Sequence, residues 1–176
     1  MQSIEPESTV LDFNLNLTQS REYMKADLSS IIEGIEFQTE QSQTYLNKIS
    51  GKVIIIADEE MDIANTKSDI SDYPDWMQNA INTAKEYLED QDNYLRLLSA
   101  RDIDEYRIME NFILSLPNEA QKNEMYGLIK GRGAFSGFRQ GLERFALTDQ
   151  WYAYRDDELV RFAKQWCEDN DIDLKS

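Results

Sequence analysis

The spacing of apolar residues changes along this chain, and that change constrains the fold more than any other feature. Tyr45-Leu46-Asn47-Lys48-Ile49 and Lys52-Val53-Ile54-Ile55-Ile56 are two β-prone runs flanking Ser50-Gly51, which predicts a hairpin. After Lys52 the second run is apolar throughout, the pattern of a strand buried on both faces. From residue 102 onward the apolar stripes have helical spacing. Asp102 and Glu105 form a capping-box pair ahead of Tyr106, Met109, Phe112, Ile113 and Leu116. Pro117 stops that helix, and Asn118 with Gln121 opens the next, which carries Met125, Leu128 and Ile129. Phe135, Phe138, Leu142 and Phe145 mark a further amphipathic helix, with its rings at core spacing. A last helix begins near Asp156 and carries Leu159, Phe162, Ala163, Trp166 and Cys167. Strands early and helices late predict an α+β fold: a small antiparallel sheet with a predominantly helical C-terminal half.

The remaining segments fit around that plan. Residues 1–24 read as an N-terminal extension, and residues 25–176 as a single α+β domain. Within the extension Leu11, Phe13, Leu15 and Leu17 alternate with polar residues, the period of a half-buried strand, although a polar leader that happens to alternate fits as well. Asp27 is an N-cap for a helix carrying Leu28, Ile31, Ile32 and Ile35. The acidic stretch 58–72 lacks periodicity and predicts a surface loop. Pro74 opens a helix over 75–89 with Trp76, Ala80, Ile81, Ala84 and Leu88 inward. Tyr94 to Leu98 suits either a third strand or a helical continuation.

Composition narrows the chemistry. The net charge is −16, with no histidine and one cysteine, Cys167. Charge is uneven: residues 1–126 carry −15, residues 127–166 carry +2 and residues 167–176 carry −3. The acidic bulk disfavours nucleic acid and anionic membranes as partners over most of the surface. Lacking histidine, the chain has no His-based triad or zinc site. A lone cysteine forms no internal disulfide and fits a cytoplasmic protein. The longest apolar run, Val53 to Ala57, is too short to span a bilayer, and the N-terminus does not read as a secretory signal. No cofactor motif and no metal-ligand pattern emerges.

The segment 127–166 concentrates what is unusual, with five of the seven glycines and eight of the nineteen aromatics. Gly131-Arg132-Gly133 could expose backbone N–H groups to an anion, but it lacks the spacing of a phosphate loop, and a helix-capping turn accounts for it more simply. Gly133, Gly137 and Gly141 recur every four residues and suit a close backbone approach. Arg132, Arg139, Arg144, Arg155 and Arg161 lie among Phe135, Phe138, Trp151, Tyr152 and Tyr154. That mixture suits an interface, where Trp, Tyr and Arg supply anchoring contacts, or a single-stranded nucleic-acid site. The carboxylates Asp58, Glu59, Glu60 and Asp62, and Asp102, Asp104 and Glu105, are explained by a solvated loop and a helix start.

Taken together, the hairpin YLNKISGKVIII and the later DEYRIMENFI, GRGAFSGFR and WYAYRDDELVRFAKQWCEDNDI resemble the uncharacterised bacterial family UPF0158 from about Lys25 to Leu174. The resemblance rests on Tyr45, Leu46, Gly51 and Val53; on Met109, Glu110 and Phe112; on Gly131, Arg132, Gly133, Ala134, Phe135 and Phe138; and on Trp151, Tyr152 and Trp166. Ser50 stands where the family pattern has threonine, and Gly137 where it has a larger residue. The resemblance implies a small bacterial domain and brings no activity with it.

The expected function is therefore a non-enzymatic protein-interaction module. Its candidate partner-binding residues are Arg132, Arg139, Trp151, Tyr152, Tyr154 and Arg155, with a backbone anion site at Gly131 and Gly133 as a weaker candidate. Single-stranded RNA or DNA binding through the same region is the alternative. An acidic mimic of DNA is a further one, although the acids are dispersed rather than set at phosphate-like spacing.

Overall fold

The computed structural model describes residues 25–66, 69–99 and 101–175. The chain runs from helix α1 (Leu28–Glu36) into strands β1 (Ser42–Asn47) and β2 (Val53–Ala57). Helices α2 (Asp58–Thr66) and α3 (Asp75–Glu89) follow, then strand β3 (Tyr94–Arg96). Four helices complete it: α4 (Glu105–Ser115), α5 (Glu119–Leu128), α6 (Ala134–Arg144) and α7 (Thr148–Asp169). The strands form one antiparallel sheet in the order β2-β1-β3. The architecture is α+β as expected, and Tyr94–Arg96 takes the strand alternative.

Alternation splits the sheet into two buried faces. Leu46, Val53, Leu95 and Leu97 join α1 and α7 in one core, while Tyr45, Ile54 and Ile56 join α2 and α3 in another. The α1 contact is close because position 34 has no side chain: a Cβ there would lie 2.8–2.9 Å from side-chain carbons of Val53, Thr44 and Leu97. Asp27 caps α1 as expected, its carboxylate accepting the Ser30 N–H at 2.9 Å. That bond holds the Asp27 carboxyl below its ordinary range. The described ends meet beside it, where Ala26 N–H donates to the Asp173 carbonyl and Lys175 N–H to the Ala26 carbonyl, both at 2.8 Å. A third core gathers α4, α5 and α6, and Trp151 and Tyr154 of α7 pack against both it and the α1 core.

Several expectations need correction. The stretch 58–72 is not all loop, because α2 follows β2 directly. Asp58, Glu59 and Glu60 stand in its first turn, where the helix dipole favours anions, and the Glu60 carboxylate accepts the Ala57 N–H at 2.8 Å. Few of its residues are buried, so its period is faint. The hairpin turn is longer than Ser-Gly: Asn47 closes loop 48–51, its side-chain oxygen accepting the Ile49 and Ser50 N–H groups at 2.9 Å, with Gly51 at φ 67°. Nor is β2 covered on both faces throughout, since Ile55 is 46% exposed. Trp76 points outward, 68% exposed. The cap of α4 is Asp104, which accepts the Arg107 N–H at 3.0 Å; Asp102 instead accepts from Ser99, N–H and hydroxyl both at 2.7 Å. Asn118 does cap α5, through the Ala120 and Gln121 N–H groups. The last helix starts at Thr148, two turns before Asp156. Residues 1–24, with their alternating leucines, lie outside the described residues.

Candidate functional site

The Gly-rich segment builds one helical hairpin on another. Gly131 and Gly133 have φ 82° and 83°, the left-handed region glycine adopts at no steric cost. Gly133 N-caps α6. The next two glycines face α5: a Cβ at Gly137 would overlap the Leu128 carbonyl oxygen, and one at Gly141 the Met125 sulfur. Gly133 has open space around it, so the four-residue repeat serves close approach at two positions and backbone conformation at the third.

Pressing the glycine face of α6 onto α5 turns its other side outward. Gly137 and Gly141 lie about 200° and 240° around the helix from Phe135, so that ring leaves the core and is 49% exposed. This corrects its assignment to the core. Phe138, close to the glycine face, is buried. After the turn at 145–147, with Ala146 at φ 53°, α7 returns and presents Thr148, Trp151, Tyr152 and Arg155 on one stripe. Between the stripes lies a cleft of about 400 Å³, to whose lining α4 adds Glu105 and Met109. Its floor is aromatic: Phe138 meets Trp151 edge to face at 4.7 Å between centroids, and Phe112 supports Trp151 from below at 5.4 Å. Tyr152 stands on the rim, 58% exposed.

The arginines of this region divide sharply. Arg155 is held by Glu36 at 3.2 Å and Glu105 at 3.8 Å. Arg144 pairs with Glu124. Arg161 chelates Glu158, Nη2 to Oε2 at 2.6 Å, and lies over the Phe162 ring. No described residue forms an ion pair with Arg139, which lines the cleft, or with Arg132, which sits exposed in the turn before α6.

The cleft therefore brings together Arg139, Trp151, Tyr152 and Arg155 of the expected residues. Arg132 is not among its lining, nor is Tyr154, which is half-buried against Phe112 with its hydroxyl pKa raised by burial and by Glu158. Phe135, Glu105 and Met109 join the cleft without having been singled out for it. The positions of Gly137 and Gly141 carried the signal for Phe135; nothing local signalled the two α4 residues.

Cys167 is buried, and burial with the neighbouring Glu168 pushes its thiol pKa up. Among the described residues no cluster of three acidic or sulfur ligands could hold a metal, and no helix is long and apolar enough to cross a membrane.

The model of an uncharacterised protein family, UPF0158, matches residues 21–175. No curated protein matches the chain, and no solved structure does.

Proposed function

The chain belongs to the uncharacterised protein family UPF0158, and we propose that it is a non-enzymatic docking module of the cytoplasm that receives a protein partner in the α6–α7 cleft. One observation carries this reading: two exposed rings, Phe135 and Tyr152, flank a cleft with a fixed aromatic floor and an arginine on its rim. Aromatic rings add contact area with little rotamer freedom to lose, and arginine adds directional charge, the composition of interface anchors. Rings exposed in this way cost solubility unless something covers them.

Nucleic acid fits less well. Stacking on Tyr152 needs phosphate contacts beside it, yet Arg144, Arg155 and Arg161 are bound to carboxylates. Enzymatic chemistry has little support, given no histidine and a buried thiol.

The test compares immobilised wild-type chain with Tyr152→Ala and Trp76→Ala in a lysate of the source cells. The expected result is a protein captured in fixed stoichiometry by the wild type and by Trp76→Ala, and lost with Tyr152→Ala. Trp76 is the control because its ring is exposed but lies outside the cleft lining. Capture that depends on Trp76 and ignores Tyr152 would place the docking surface elsewhere and end this reading.

A further inference from the structure

We propose that the occupant of the cleft is a short acidic segment of the partner, with one large apolar side chain entering between Phe135 and Tyr152 and an adjacent carboxylate held by Arg139. The inference rests on the docking reading and specifies the chemistry of the partner. The apolar half follows from the lining. Phe138, Trp151, Met109 and Leu142 line the cleft, and a volume of about 400 Å³ lies at the small end of ligand pockets. It accommodates a large side chain and its flanks.

The ionic half follows from a contrast among the arginines. In a chain with 34 acidic and 18 basic residues, carboxylates outnumber their partners; Arg144 and Arg161 have each taken one and Arg155 two. Arg139 has none among the described residues, although Glu143 lies one turn along α6 and lines the same cleft. Glu105 is already engaged by Arg155. The uncommitted charges of the cleft are thus Arg139 and Glu143, and they set a polarity. A carboxylate is drawn to the Phe135 end, one turn before Arg139, and repelled from the Glu143 end. A polyanion running the length of the cleft would meet both glutamates, whereas a single carboxylate beside an apolar anchor meets only the arginine. The negative charge of the rest of the molecule reaches weakly into the contact, since screening at physiological salt acts over about 8 Å.

The probes are three blocked tetrapeptides, acetyl-Gly-Phe-Glu-Gly-amide and its glutamine and lysine counterparts, titrated into isotope-labelled protein. The Trp151 indole and Arg139 side-chain NMR signals report binding. The expected result is movement of both signals, with the glutamate peptide binding roughly fivefold tighter than the glutamine one, the upper range for an exposed pair. In Arg139→Glu, whose exposed position spares the fold, the order should reverse in favour of the lysine peptide. Equal binding of all three peptides at Trp151 overturns the acidic partner while leaving the docking reading intact. Failure of all three to move either signal also overturns it, and the docking reading is then judged by the capture experiment alone. Tighter binding of a ten-nucleotide oligothymidylate than of the glutamate peptide overturns it in favour of nucleic acid.

Discussion

At the scale of single residues, two glycines ten positions apart are predicted to respond with opposite sign. Gly127 lies in α5 with no atom of the other described residues within 4 Å of where a Cβ would stand. Gly127→Ala should stabilise by about 0.5–1 kcal/mol, the helical cost of glycine. At Gly137 the same methyl runs into the Leu128 carbonyl, whose carbon is 3.1 Å away, and backbone cannot swing aside as a side chain can. Gly137→Ala should therefore lose about 1–3 kcal/mol despite the better helix former. Urea midpoints at unchanged slope read both, and shifts of the same sign would remove the close-packing account of α5 and α6. Thr44 offers a second contrast. Its side chain is fully buried on the sheet face under α1, and its hydroxyl has no hydrogen-bond partner among the described residues. Thr44→Val keeps the shape and removes the orphan, so stability should rise by about 1 kcal/mol. A drop of that size in thermal melts would mean the hydroxyl is bonded after all.

At the scale of elements, the two phenylalanines at the start of α6 separate folding from function. Phe138 packs on Phe112 and Trp151, and Phe138→Ala should cost about 3–5 kcal/mol. Phe135→Ala should stay within about 0.5 kcal/mol of wild type, as exposed substitutions do. Equal losses of melting temperature would put both rings in the core. These elements also show what could be read in advance. The hairpin, α3 and the Asn118 cap were legible because each combines a local period with a local stop or cap. By contrast, α2 was not, since its acids serve the helix dipole and only Ala64 is fully buried, leaving a weak stripe. The first two turns of α7 hid behind four consecutive apolar or aromatic residues, Trp151 to Tyr154, which carry no period. In the cleft, Arg139, Trp151 and Tyr152 could be picked out by composition. The neutralisation of Arg155 could not, because Glu36 lies 119 residues away in sequence and only the packing of α1 on α7 brings it near.

At the scale of the whole molecule, the charge balance predicts an unusual pH profile. With no histidine and a thiol pushed above its ordinary 9.0, the chain lacks the side chain whose charge ordinarily changes between about pH 6 and pH 8. Thermal stability should be flat across that range, where most proteins drift. Below it two effects compete. Protonating carboxylates relieves the self-repulsion of a chain at −16, which favours the compact state. Against this, Asp27, Asp69 and Asp102 hold their pKa values below 3.8 through hydrogen bonds from serine residues. A depressed folded pKa gives stability that is fully present above the unfolded value and lost as pH falls through the folded one. That loss is confined to pH values near and below 3.8, so relief acts alone above it. The melting temperature should therefore rise gently from pH 6 toward about pH 5 and turn down below 3.8. Salt separates the two effects at pH 7. If repulsion dominates, raising ionic strength from about 0.01 M to 0.15 M shortens its reach from about 30 Å to 8 Å and raises the melting temperature. A melting temperature that falls with added salt would show instead that the exposed ion pairs, such as Arg161 with Glu158 and Arg155 with Glu36, outweigh the net charge, and the predicted rise toward pH 5 would then be absent as well.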